Sequence, residues 1–128
     1  MPTELSQQQI DDITRNYKRC REGTVDAIIN LRRTEDPAYI PAIMRGIVWR
    51  YVRPEIRSQA ETAPPETPLT NLGMDSLMML EVVLDLQDAL DITIEDAELR
   101  KMQTIADVEQ LLTEKYISRN TRLRPDVH

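Results

Sequence analysis

Phenylalanine is absent from this 128-residue chain, tryptophan occurs once and tyrosine four times. An apolar interior must therefore come from Leu, Ile, Val and Met, as it does in small helical bundles. No apolar run approaches the roughly 20 residues of a membrane span, and the N-terminus lacks the charged-then-apolar pattern of a signal peptide. A soluble, cytoplasmic protein is the expectation. A single cysteine, Cys20, excludes an internal disulfide, and with His128 as the one histidine there is no plausible metal set. Cys20 reads as a small helix residue. The length suits one compact domain with an appendage, not two full domains.

What charge there is lies unevenly. The formal net charge is −6, but residues 1–57 hold ten Lys or Arg against eight Asp or Glu, whereas residues 58–128 hold six against fourteen. The acidic half steers toward basic partner surfaces and argues against nucleic acid as the ligand.

Helical periodicity dominates the chain. Ser6 caps an expected first helix through Ile10, Ile13, Tyr17 and Cys20, ended by Gly23. Thr24 caps an expected second, shorter helix with Val25, Ile28, Ile29 and Leu31 inward, and Arg32 and Arg33 lie at its C-terminus where positive charge is favoured. A turn at residues 34–37 precedes a third helix with Pro41 in its first turn and Ile40, Ile43, Met44, Ile47, Val48 and Tyr51 at helical spacing. Trp49 is expected at its edge or partly exposed. Pro54 limits that helix, and residues 58–70, with Pro64, Pro65 and Pro68, read as a long loop without regular structure, pinned by Leu69 and Leu72. Residues 95–100 suggest a short helix. Thr104 is a suitable N-cap for a last helix running to about Tyr116, with Val108, Leu111 and Leu112 inward, and residues 118–128 read as an irregular tail.

The most informative stretch is Leu72-Gly73-Met74-Asp75-Ser76-Leu77, continued by Met78-Met79-Leu80-Glu81-Val82-Val83-Leu84. Asp75 reads as an N-cap, Gly73 lets the chain turn before it, and residues 76–90 have helical rather than alternating periodicity. Ser76 then falls in the first turn of a helix. Unpaired N–H groups and the positive end of the helix dipole favour an anion there, so a phosphate ester on Ser76 is well placed.

The G-x-D-S-L pattern resembles that of the acyl carrier proteins, and the likeness extends downstream through Asp91-Ile92-Thr93-Ile94, the acidic pair Glu95-Asp96 and Met102-Gln103-Thr104-Ile105. It covers roughly residues 40–117. The resemblance implies an all-α fold: a four-helix bundle of three long helices and one short one, preceded by an extra N-terminal helical hairpin. It divides the chain into an extension at 1–37, a carrier domain at 38–117 and a tail at 118–128. It implies a 4′-phosphopantetheine arm on Ser76, delivered from coenzyme A by a phosphopantetheinyl transferase, with Gly73 and Asp75 shaping the attachment site. It also implies a monomeric carrier that catalyses nothing itself and presents thioester-bound acyl groups to partners such as a ketosynthase and an acyltransferase. In this family the stripe after the serine faces partners, which assigns Leu77, Leu80 and Leu84 to docking with Met78, Glu81, Asp85 and Asp88 around them.

Two departures narrow the expectation. Met78 stands where housekeeping carriers have an acidic residue, and Gln87 is neutral where they are usually acidic. With the wording of residues 67–73, this points to a specialised fatty-acid or polyketide-type pathway; a peptidyl or aminoacyl carrier stays open. So does a helical interaction module with a vestigial motif. Residues 1–37 exceed the family pattern and could fold back on the carrier surface, dock a dedicated synthase or mediate dimerisation. The letters D-S-L also evoke serine hydrolases, with His128 as base. Met74 interrupts that motif and the strands of an α/β hydrolase are missing. A calcium loop at Asp85, Asp88, Asp91, Glu95 and Asp96 has the wrong spacing and no turn glycine.

Overall fold

The computed structural model describes residues 4–122, and side chains as far as residue 119. Seven α-helices make up the described chain: α1 (Gln7–Tyr17), α2 (Thr24–Thr34), α3 (Ile40–Tyr51), α4 (Arg57–Thr62), α5 (Ser76–Leu90), α6 (Asp96–Leu99) and α7 (Ile105–Arg122). Short 3-10 turns at Pro37–Tyr39, Pro54–Ile56 and Leu69–Leu72 join them. The fold is all-α, as the periodicity predicts.

The central helix is α3, whose Ile40, Ile43, Met44, Ile47 and Val48 are all buried. Around it close α5, through Val82, Val83, Leu86, Ala89 and Leu90, and α7, through Ile105, Val108, Leu112 and Tyr116. The hairpin α1–α2 packs on the remaining side, and its Ile13, Tyr17, Ala27, Ile28 and Leu31 belong to the same buried cluster. Each large apolar side chain so buried contributes about 1.5–3 kcal/mol. Met74 and Met102 fill the end of the cluster nearest Ser76, where flexible thioether side chains suit an irregular space.

Helix starts follow local chemistry. Ser6 closes a capping box with Gln9, its Oγ accepting the Gln9 N–H at 3.1 Å while Gln9 Oε1 accepts the Ser6 N–H at 2.8 Å. Thr104 and Asp107 exchange the same pair of bonds at the start of α7, at 3.1 and 3.0 Å.

The structure corrects the sequence reading in four places. Helix α1 stops at Tyr17, so Cys20 lies in the turn that follows and not on a helix. The N-cap of α2 is Gly23, at φ +97°, and Thr24 is its first residue. Thr24 is buried because it meets α3 at Gly46, where a Cβ would stand 1.8 Å from Thr24 Oγ1. Tertiary contact takes the side chain that was expected to cap.

The segment expected to be a loop from 58 to 70 opens with helix α4. Its sequence has no breaker before Pro64, Ala60 is buried, and Arg45 donates to the carbonyls of Ala60 and Ala63 at 3.4 and 3.1 Å, satisfying the helix end. Only the proline-bearing remainder is irregular, and it is tied to the start of α7 by Leu69 N–H to Gln103 O at 2.9 Å and Ile105 N–H to Thr67 O at 3.1 Å. Finally, α7 runs past Tyr116 to Arg122, so residues 118–122 are helical where a tail was expected. Residues 123–128, including His128, lie outside the described residues.

Candidate functional site

The G-x-D-S-L motif is built by the chain turning sharply before α5. Gly73 adopts φ +77°, a left-handed conformation open to glycine at little cost, and its N–H bonds back to Thr70 O at 3.0 Å. Met74 is then driven into the core, which leaves Asp75 and Ser76 at the surface. Asp75 caps the helix: its Oδ1 accepts the Met78 N–H at 2.8 Å, and its backbone carbonyl accepts the Met79 N–H at 2.9 Å. Ser76 is the first residue of α5 and exposed. Its hydroxyl meets solvent where the helix dipole favours a negative group.

Beside Ser76 opens a groove of about 260 Å³ lined by Leu69, Met74, Met79, Leu99 and Met102, with Thr70 and Gln103 at its polar edge. A phosphate ester on Ser76 would face solvent and the helix N-terminus, and an apolar or amide-bearing substituent on it could enter the groove. The residues present therefore fit a phosphopantetheine arm. The carboxylate next to Ser76 is engaged: Asp75 Oδ1 caps the helix.

The stripe after Ser76 is open. Leu77, Leu80 and Leu84 are 65%, 47% and 55% exposed, whereas Val82, Val83, Leu86 and Leu90 on the opposite face are buried. Glu81 is exposed and Met78 partly buried. Asp85, partly buried, and Asp88, exposed, are grouped with the stripe by sequence but each bonds to side chains of other helices. The Asp85 carboxylate accepts the Tyr51 hydroxyl at 2.6 Å and pairs with Arg50 at 3.7 Å. The Asp88 carboxylate accepts the Tyr17 hydroxyl, which also reaches the Asp85 carbonyl at 3.2 Å. Burial first, and these carboxylate partners second, push the Tyr51 phenol up to about 12 and raise that of Tyr17 further.

Tyr17 was legible only as a core position, and its bond to α5 spans 71 residues of sequence. Arg32, expected to lie near its own helix end, instead donates to the Asp88 and Ala89 carbonyls at 3.2 and 3.4 Å, at the negative end of α5. Gln87 has a structural use: its Oε1 accepts the Ile94 N–H at 2.7 Å and holds the chain leaving α5. Three of the five carboxylates weighed as a calcium loop go to separate partners, Asp85 to Tyr51, Asp88 to Tyr17 and Asp91 to Arg119 at 2.7 Å. Cys20 is buried, and burial pushes its thiol up to about 11.

Comparison with known proteins agrees with this geometry. The family model described as a phosphopantetheine attachment site matches residues 51–112. An acyl carrier protein of an Exiguobacterium species is 53% identical over 38 residues, 30% of this chain and 48% of the relative. The acyl carrier protein of Desulforapulum autotrophicum is 36% identical over 56 residues, 43% of this chain and 73% of the relative. The orsellinic acid synthase of Beauveria bassiana is 42% identical over 60 residues, 45% of this chain and 3% of that protein. The chain thus spans about half the length of the first carrier and nearly three quarters of the second. No solved structure matches it significantly. With the attachment motif at the mouth of α5, the groove beside it and these relatives, the chain belongs to the acyl carrier protein family, and with that membership comes a covalently attached 4′-phosphopantetheine.

Proposed function

We propose that Ser76 is the attachment residue and that the protein is a covalent shuttle, not a catalyst. The observation that carries this reading is an exposed hydroxyl at the first position of α5, with an apolar groove beside it. When bound, the arm supplies a terminal thiol that holds an acyl group as a thioester, tethered at high effective concentration to each enzyme it meets. The chain's own residues do the rest. Gly73 and Asp75 present Ser76, the methionine-lined groove shelters apolar atoms from water, and Leu77, Leu80 and Leu84 offer partners an apolar stripe.

The partners are a phosphopantetheinyl transferase and acyl-processing enzymes such as a ketosynthase and an acyltransferase, in a specialised fatty-acid or polyketide-type pathway. Met78, the internal bonding of Asp85 and the stretch shared with an orsellinic acid synthase support a pathway other than general fatty-acid synthesis. A cytoplasmic setting fits, and among the described residues no helix is long and apolar enough to cross a membrane.

The test is incubation with coenzyme A and a promiscuous phosphopantetheinyl transferase, read by intact mass. One phosphopantetheine addition is expected in the native chain and none in Ser76→Ala. An addition that survives the substitution overturns the assignment.

A further inference from the structure

Four arginines stand between the middle of α3 and the start of α4, and three of them are engaged within the chain. Arg45 donates to Ala60 O and Ala63 O, and Arg50 pairs with Asp85 at 3.7 Å. Arg57 donates to the carbonyls of Trp49, Arg50 and Val52 and lies 4.1 Å from the centre of the Trp49 ring. Arg53 differs from all three. It is exposed, and its side chain makes no hydrogen bond, ion pair or ring contact among the described residues.

The backbone of Arg53 is fixed on both sides. Val52 is buried and its N–H bonds to Val48 O at 3.2 Å, while Arg53 O accepts the Ile56 N–H at 3.0 Å. Pro54 requires extended backbone before it, which Arg53 adopts at φ −58° and ψ 141°. From there the side chain reaches the turn that precedes Ser76: a Cβ at Gly73 would lie 3.9 Å from Arg53 Nη2 and 3.8 Å from Ile56 Cδ1. Gly73 is three Cα steps from Ser76, at most about 11 Å. A guanidinium without a partner thus stands beside the root of whatever Ser76 carries. Neighbouring carboxylates do not take it up. Asp75 Oδ1 accepts the Met78 N–H, and neither Asp75 nor Glu55 pairs with Arg53.

Resting on the carrier reading above, we propose that Arg53 is a positioning residue for the phosphodiester that joins the arm to Ser76. The diester keeps one negative charge shared by two non-bridging oxygens, and a guanidinium offers such a pair two parallel N–H donors. The unpaired N–H groups and the dipole of the first turn of α5 supply the rest of the field. Arg53 closes on the phosphate from the linker between α3 and α4 and restricts the swing of the arm at its root. Because the pair is exposed, the hold weakens with salt. The rival cations are Arg100 and Lys101, exposed between the groove residues Leu99 and Met102.

The test compares the full chain before and after loading with phosphopantetheine, loading being verified by intact mass. At about 50 mM salt, loading should shift the Arg53 Nε–Hε resonance and slow its exchange with water, and both effects should fade at about 500 mM. The change in thermal midpoint on loading should be more favourable in the native chain than in Arg53→Gln by about 1–4 °C. Arg53→Lys should restore part of that difference, and Arg100→Gln and Lys101→Gln should leave it intact. An Arg53 resonance unmoved by loading, an equal midpoint change in the native chain and Arg53→Gln, or a difference lost in Arg100→Gln or Lys101→Gln would each overturn the assignment. A second measurement needs no transferase. Ser76→Glu places a carboxylate at the same position, and its pKa should lie a few tenths of a unit lower with Arg53 present than with Arg53→Gln. Equal values refute Arg53 as the phosphate's partner, whereas a missing mass gain on Ser76 contradicts only the carrier reading.

Discussion

Gly46 and Thr24 set a close approach of α2 to α3, because a methyl group at residue 46 would fall 1.8 Å from the Thr24 hydroxyl. Gly46→Ala should therefore cost about 1–3 kcal/mol through overpacking, less the small gain in helix propensity; chemical denaturation measures it. Tyr17 and Tyr51 give the molecule an alkaline limit. Their folded-state pKa values lie above that of a free phenol, about 10, so the stability they contribute is complete below that pH and is lost as pH rises through the folded values, about 12 for Tyr51 and higher for Tyr17. The unfolding midpoint should fall as pH climbs above about 10, and Tyr17→Phe with Tyr51→Phe should flatten that fall in denaturation curves taken across the range. Leu80→Ala, at a 47% exposed position, should change stability by less than about 0.5 kcal/mol while weakening partner docking. A large stability loss in the same variant would place Leu80 in the core.

At the level of elements, α4 and α6 each lean on a side chain from a longer helix. Arg45 of α3 ends α4 by donating to Ala60 O and Ala63 O, and it pairs with Glu109 of α7 at 3.5 Å. Arg45→Ala should fray α4 at a cost of about 1–2 kcal/mol, seen as lost amide-exchange protection over residues 57–62. Helix α6 depends on Glu98, which accepts from Lys115 Nζ and from the Glu95 N–H, both at 2.9 Å. The Lys115 bond first, and the backbone bond second, hold the Glu98 carboxyl below its usual range. Because the folded value is depressed, its contribution is present above the unfolded pKa and disappears as pH falls through the folded one. Amide exchange at residues 95–100 should accelerate there, and Glu98→Gln should abolish that pH dependence.

Considered whole, the molecule has one core that the N-terminal hairpin helps to close. Removing residues 1–36 strips Ile13, Tyr17, Ile28 and Leu31 from it and opens the α3 surface they cover. At about 1.5–3 kcal/mol for each such side chain, the loss is comparable to the total stability of a typical domain, about 5–15 kcal/mol. The shortened chain should lack a cooperative thermal transition and bind a hydrophobic dye, whereas the full chain should unfold in one step by every probe.

Most of the helices and the turn that exposes Ser76 were legible in the sequence because they rest on interactions three or four residues long: the Ser6–Gln9 and Thr104–Asp107 capping pairs, the Asp75 cap, the turn at Gly73 and the inward stripes of α3 and α7. The exposed leucine stripe followed from the same periodicity joined to the family likeness. The tertiary structure alone decided that α4 is helical, that Thr24 packs instead of capping, and that Asp85 and Asp88 bond to tyrosines of other helices. Each of those outcomes depends on a partner far along the chain, Arg45 for α4, Gly46 for Thr24, Tyr51 and Tyr17 for the two carboxylates. Local sequence determines which helices can form and where a hydroxyl meets solvent. Only packing determines which side chains remain available to a partner, because availability is what is left after distant residues have met.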